Sequence, residues 1–479
     1  MIKAVPFLLV FLFSLFSCTG EDTVTVSFKD TDIDPGLFVL PEGFALYNDA
    51  GDSTLDLVLS VYETVSSEAQ RFVLSLEFLV PLKDPGDYRD SLSLQELRSE
   101  ELPLIALSRW KYAGRSALVN GYSPADSEYP LKQWKHIVPE WNTETDPVRT
   151  ERIEDALDAY LESKLRDSAP GLVWIAAVGD MMLQRGIEDV LIHQADGKER
   201  IFSDLLPHLT GFDLLMGNLE GAVTVRGSRT PKSYNFRFRP EVLEALKQTG
   251  FEYLSLTNNH CYDYGELGFL DTLGYLREYG ISTSGAAESL RDALEPAVFS
   301  INGVKIRILS VGAFPRERNG FDGRTQAAVS SERPGILWYG KDALSAISSF
   351  SAEDGIDIVM VHGGHEWQRI PDPEQKIRYR SFIDAGADIV FGSHPHVLQG
   401  AEHYKGGIIY YSLGNFLFNG MEEMPYAEDS LVASLGIIDG KILYRRDLAV
   451  QIDGPNVRKD REGRILRQFR ELSDGLSNP

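Results

Sequence analysis

Ala387-Asp388-Ile389-Val390-Phe391-Gly392-Ser393-His394-Pro395-His396 is the stretch that decides the fold. Its apolar run reads as a buried strand, and two imidazoles follow it one residue apart. In extended backbone, residues i and i+2 face the same side, so both rings can reach one point. Pro395 between them fixes its own φ and stiffens the loop. Neutral imidazole is the commonest protein ligand for a transition metal. Two surface histidines would look the same in isolation, so the rest of the chain has to decide.

Outward from this segment, strands and helices alternate. Residues 173–178, 251–256, 304–311, 356–361 and 408–411 are strand-like. Helical patterns cover 240–248, 266–279, 341–350 and 374–385, with Pro240 in a first turn and Gly250, Gly280 and Gly386 just past the ends. This βα order predicts a layered α/β fold over residues 171–452. Residues 431–452 alternate like a hairpin with Asp439-Gly440 as its turn, and 453–479 reads as a tail, helical and then frayed over 458–479. Before this unit, residues 24–140 read as a separate α+β domain. Strands are expected near 55–62 and 71–80, a helix start at 93–98, and a turn-rich aromatic stretch at 121–139. Residues 141–170 read as a linker followed by an amphipathic helix.

With 479 residues the chain has room for two or more domains, and 43% hydrophobic and 25% charged residues are globular values. A formal net charge of −24 argues against nucleic-acid binding, although it also serves plain solubility. Residues 1–18 read as a signal peptide: Lys3, an apolar run too short to span a bilayer, then Leu15-Phe16-Ser17-Cys18. That ending resembles a bacterial lipobox, with Cys18 acylated and anchoring the chain; an ordinary secretory signal is the alternative. Cys261 is the other of the two cysteines and reads as a buried bystander or, beside His260, a thiol ligand.

Polar clusters close the strands one after another: Gly179-Asp180, Gly217-Asn218-Leu219-Glu220, Asn258-Asn259-His260 with Asp263, His362-Gly363-Gly364-His365-Glu366, and His394 with His396. Each alone is an ordinary turn or a solvated side chain. Together they gather five of the nine histidines at the carboxyl ends of strands, where open α/β sheets bind ligands. Carboxylate, amide oxygen and imidazole favour Mn²⁺, Fe²⁺, Zn²⁺ or Mg²⁺. Two such ions about 3.5–4 Å apart can clamp a phosphoryl group and lower the pKa of a water between them.

In this order the motifs resemble the CapA family of poly-γ-glutamate capsule biosynthesis proteins, similar in fold to calcineurin-like metallophosphoesterases. The resemblance runs from Val178-Gly179-Asp180-Met181-Met182-Leu183 to Ser412-Leu413-Gly414-Asn415-Phe416-Leu417-Phe418, about half the chain. It implies a βα sandwich of mixed sheets flanked by helices, and a site for one or two divalent metals. Asp180, Glu220, Asn259, His362, His394 and His396 take the ligand positions; His260 takes the position that contacts a phosphoryl group, with Asp263 orienting it. Arg185 is expected either to pair with an anionic substrate group or to make a surface ion pair. The chain departs from the superfamily at Met182, where Asp-x-His is usual, at Glu220 for a bridging Asp, and at Gly363 where CapA proteins commonly carry Trp.

The expected protein is an extracytoplasmic, lipid-anchored, metal-dependent phosphoesterase-like hydrolase of capsule or exopolymer biosynthesis. Its substrate would be an anionic polymer or a phosphorylated molecule, and His260 would protonate the leaving group. The rival is a non-catalytic protein that binds polymer beside a membrane synthase; a third reading is a one-metal glycan or peptide amidase.

Overall fold

Strand alternation sets the layers. Along Val173–Met182, residues Val173, Ile175 and Ala177 pack to one side, and Ala176 and Val178 to the other. The whole strand is buried, so both of its faces must be covered. The computed structural model describes residues 171–477 except 352–353, 439 and 462, together with the backbone of eight strands between 24 and 141.

Two mixed sheets result. The first has the order Phe251–Ser255, Leu214–Leu219, Val173–Met182, Asp429–Ile438, Lys441–Asp453, Asn456–Lys459, and Asn415–Phe418 pairs with the end of Val173–Met182. The second runs Ala297–Ile301, Val304–Ala313, Ile356–Gly363, Ile389–Ser393, Gly407–Leu413, Leu398–Tyr404. Parallel pairing joins the site-bearing strands of each; antiparallel strands close both edges of the second sheet and one of the first, whose other edge, Phe251–Ser255, is parallel. The sheets share a core of Ile175, Met216 and Tyr253 from the first and Ile308, Ile358, Phe391 and Tyr410 from the second. Helices Val242–Thr249 and Gly265–Glu278 bury Leu246 and Phe269 on the outer face of the first sheet. Lys341–Phe350 and Pro373–Asp384 bury Ile347 and Phe382 on the outer face of the second. The second of these starts where Asp372 accepts the Glu374 and Gln375 amides and Pro373 presets the first turn. The result is the expected α/β sandwich.

The tail differs from expectation. Asn456–Lys459, in the tail and overlapping the start of the stretch read as helical, is an edge strand of the first sheet. Helix Arg464–Ser477 is integral: Ile465 and Phe469 enter the inter-sheet core, and Ser473 Oγ accepts the Ala401 amide at 2.9 Å. A Cβ on Gly400 would meet the Leu472 carbonyl carbon at 2.6 Å, so glycine permits that contact. The apolar spacing of the helix was visible in sequence; its docking partner was not. The hairpin turn holds, with Ile438 opposite Lys441 and Gly440 at φ 68°.

In the first 170 residues, six strands form one sheet in which Lys132–Trp141 lies between Leu57–Tyr62 and Phe72–Pro81. That ten-residue strand corrects the turn-rich reading of 121–139; Pro130 and Pro139 masked the strand preference of Trp134, Ile137 and Val138. The expected helices at 93–98 and in 141–170, and Cys18, lie outside the described residues.

Candidate metal centre

Parallel register brings the strand ends level. Asp180 stands opposite Asn218 in the first sheet, and His362 opposite Ser393 in the second. Gly179 lets the Asn415–Phe418 segment come close, since a Cβ there would lie 1.9 Å from the Gly414 oxygen; the Asp180 amide donates to that same oxygen at 3.0 Å.

The six expected ligands are all buried and meet at the carboxyl ends of both sheets. Asn259 Oδ1 lies 2.9 Å from His362 Nε2, which lies 3.1 Å from His394 Nδ1. Ligands about 2.1 Å from a cation and at right angles to one another stand about 3 Å apart, so these spacings suit a first-row divalent ion. Asp180 Oδ2 is 3.2 Å from His396 Nδ1 and accepts the His394 amide at 3.1 Å. Its Oδ1 accepts from Asn218 Nδ2 at 2.7 Å and lies 3.7 Å from His362 Nδ1. Glu220 Oε1 is 3.6 Å from His396 Nε2 and 3.7 Å from His260 Nε2. Ligand atoms of Asp180, Glu220 and His362 lie within 4.8 Å of one another, as do those of His394, His396 and the exposed Glu366. The resemblance assigns His362 and His394 to one ion and His396 to the other; their 3.1 Å spacing allows that pairing, while these two clusters put His362 with Asp180 and Glu220, and His394 with His396.

Several buried polar atoms here have no hydrogen-bond partner. Both Glu220 carboxylate oxygens and His394 Nε2 make no hydrogen bond. Burial, and then the nearby Asp180 carboxylate, push the Glu220 carboxyl well above its usual range. Burial and the neighbouring rings hold His362 and His394 well below the ordinary imidazole value, in the neutral form a metal requires. Burial also pulls His396 down, but Glu220 and Asp180 outweigh it and hold it at about 10. A divalent cation would satisfy the same carboxylates, and the donor set of carboxylate, amide oxygen and imidazole fits one.

His260 is placed as a proton carrier. Its Nδ1 donates to Asp263 Oδ2 at 2.6 Å, and its backbone amide donates to Asn258 Oδ1 at 3.0 Å. Burial lowers its pKa and Asp263 opposes the shift. Asp263 also accepts the Phe236 amide at 2.7 Å, and the Phe236 ring lies 4.3 Å from the imidazole.

One expected reason is corrected. His394 and His396 do not converge through extended backbone: their φ values are 99° and 56°, left-handed on either side of Pro395. Such strain persists where surrounding contacts impose it, here Asn415 Oδ1 at 2.9 Å from His396 Nδ1 and the Trp367 amide donating to Pro395 O at 2.8 Å. Arg185 stands apart from the cluster. It is exposed, and its guanidinium donates to the Asn419 and Gly420 carbonyls at 2.7 and 2.9 Å. Cys261 sits in the apolar cluster outside the first sheet, its thiol pKa raised by burial. Met182 is buried there too, with its sulfur accepting the Gln184 amide at 3.3 Å.

Sequence reasoning missed Lys232. Its side chain is 2% exposed, and Nζ reaches Asp263 Oδ1 at 3.0 Å, Glu317 Oε1 at 2.9 Å and the Asn259 carbonyl at 2.6 Å. Nothing in the run Pro231-Lys232-Ser233-Tyr234 marks this lysine as buried. Glu317 was missed as well; it also accepts from Asn259 Nδ2 at 3.1 Å.

Residues 174–420 match the family model for the bacterial capsule synthesis protein PGA_cap, more than half of the 479 residues. The chain belongs to the PGA_cap family. Over 252 residues it is 34% identical to the capsule biosynthesis protein CapA of Bacillus anthracis, covering 50% of this chain and 59% of that protein. Over 260 residues it is 33% identical to the PGA biosynthesis protein CapA of Bacillus subtilis, covering 53% and 66%. The chain thus spans less than two thirds of the length of either relative. A crystal structure of a hypothetical protein from Thermus thermophilus aligns with TM-score 0.36 at 14% identity, over 60% of this chain and 99% of that one. The fold assignment rests on the topology above. In this PGA_cap chain the matched span holds every residue of the cluster, from Asp180 to His396.

Proposed function

We propose that this PGA_cap protein is a metal-dependent hydrolase of the cell envelope, acting on an anionic polymer or a phosphorylated substrate in capsule or exopolymer biosynthesis. One observation carries the reading: six buried ligand-type side chains from two sheets converge, and the Glu220 carboxylate among them makes no hydrogen bond. Asp180, Glu220, Asn259, His362, His394 and His396 would hold the ion. A divalent cation there supplies Lewis acidity toward a phosphoryl or carbonyl oxygen. His260, with Nδ1 committed to Asp263, keeps Nε2 directed into the site, where the imidazolium can give a proton to a leaving group. Phe236 and Phe418, packed on His260 and His396, restrict water at those rings.

The test begins with metal analysis of the purified chain, then turnover of an aryl phosphate and of γ-glutamyl amides with Mn²⁺, Zn²⁺ or Mg²⁺. His260→Ala is expected to reduce turnover about a hundredfold or more while metal stays bound. His394→Ala is expected to lose both metal and turnover. Stoichiometric metal without turnover of any of these substrates would reject the hydrolase.

A second reading has its own support. Met182 replaces the usual histidine and lies in apolar packing, which removes one ligand from the superfamily set. It favours an accessory protein that holds polymer beside a membrane synthase and cleaves nothing. Under either reading we place the chain outside the cytoplasm, tethered through acylated Cys18. Among the described residues no helix is long and apolar enough to cross a membrane. Mass spectrometry of the mature N-terminus is expected to find lipid on Cys18; a mature chain beginning elsewhere removes the anchor.

A further inference from the structure

A second cavity, of about 290 Å³, opens beside the metal centre. Phe314 forms part of its wall, and the other neighbours of that ring are His362 at 5.8 Å and His394 at 6.1 Å. Trp338 meets Phe314 edge-on at 4.7 Å, giving the cavity an aromatic side. Arg316, Arg324 and Arg378 also line it.

The carboxylates of this cavity are already engaged. Asp322 accepts the Arg324 amide at 3.1 Å, and Asp372 accepts the Glu374 and Gln375 amides at 2.7 and 3.0 Å. Glu374 pairs with Arg378, which also donates to the Ala313 carbonyl at 3.0 Å. Arg316 reaches only the Gly320 carbonyl, at 3.4 Å, and the Arg324 guanidinium has no hydrogen bond or ion pair among the described residues. Arg316 and Arg324, both exposed, thus line one cavity without a carboxylate partner among the described residues, in a chain of net charge −24. The intervening Glu317 points the other way, to Lys232 and Asn259, so one loop joins this cavity to the metal centre.

We propose that Arg316 and Arg324 form an anion subsite that takes a carboxylate or phosphate arm of an extended substrate whose neighbouring unit lies at the metal centre. Guanidinium forks match both anions bidentately. The cavity's formal charges balance, with three arginines against Asp322, Asp372 and Glu374, and Arg316 and Arg324 are the cations left without a carboxylate partner among the described residues. The inference rests on the anionic-substrate reading above, so its test measures binding and leaves turnover aside.

Calorimetry with the full chain would titrate a γ-linked glutamate decamer and, separately, inorganic phosphate. The wild type is expected to bind the decamer. R316E/R324E is expected to weaken it about tenfold or more, and R316Q/R324Q by a smaller factor. R200E/R291E, with the same charge change at exposed positions elsewhere, is expected to bind as the wild type does. Bound metal per chain checks that each variant is folded. Phosphate that displaces the decamer, and itself needs Arg316 and Arg324, identifies a phosphate arm; phosphate that does neither identifies a carboxylate arm. The subsite is overturned if R316E/R324E binds like the wild type, if R200E/R291E weakens binding equally, or if the wild type binds neither probe. A wild type without turnover whose decamer binding still depends on both arginines keeps the subsite and loses only the hydrolase.

Discussion

Metal-free protein carrying Glu220→Gln is expected to be more stable than the metal-free wild type and to gain nothing from added Mn²⁺ or Zn²⁺. Glu220 is fully buried, neither of its oxygens is hydrogen-bonded, and burial and the Asp180 repulsion outweigh the attraction of His396, whose Nε2 lies 3.6 Å away. A carboxylate so placed opposes folding whether it stays charged or takes up a proton. Glutamine keeps the shape and drops the charge, and His396 still has Asp180 Oδ2 at 3.2 Å. The expected gain is about 1–2 kcal/mol, of the order of one unsatisfied buried polar group. The wild type, in turn, is expected to gain about 2.7 kcal/mol from metal at a hundredfold excess over Kd. Urea unfolding of both proteins, with chelator and then with metal, reads out all four values. A variant that is weaker without metal, yet responds to metal normally, would show that Glu220 is a structural carboxylate.

Lys232→Met is expected to be the most destabilising single change around the site, by about 3–5 kcal/mol. Methionine replaces the stem but leaves Asp263 and Glu317 facing each other without the ammonium between them. Both hold functional groups: Asp263 orients His260, and Glu317 accepts from the Asn259 amide. Turnover is therefore expected to fall together with stability. Adding Glu317→Gln should recover part of the lost stability, because it removes the carboxylate that lost its counter-charge. A single variant as stable as the wild type would mean that Lys232 is a bystander.

The clustering of the six candidate ligands was largely readable because each sits at or just past a strand end with its own local signal. Apolar runs announced the strands ending near Asp180, His362 and His394, and parallel topology then had to align those ends. Lys232 and Glu317 escaped notice because each sits in a loop with no periodicity, and only the packed structure turns them toward each other. The left-handed backbone at His394 and His396 was equally hidden, since local preference favours extended conformation before and after proline. Ala297–Ile301 and Leu398–Tyr404 were missed for a different reason. As an edge strand Ala297–Ile301 is half exposed along its length, whereas Leu398–Tyr404, buried over its first five residues, carries Gln399, Gly400 and Glu402 in place of an apolar run. The same blindness to partners hid the docking of Arg464–Ser477 on Gly400.

The strand bearing Asp180 pairs on one side with Leu214–Leu219 and on the other with Asp429–Ile438. One neighbour is therefore synthesised soon after it, and the other only after some 250 further residues have left the ribosome. Throughout that interval an apolar strand has an open flank able to pair with the wrong chain. Slow maturation, and a need for protection from self-association before residue 438 emerges, follow from this order of assembly.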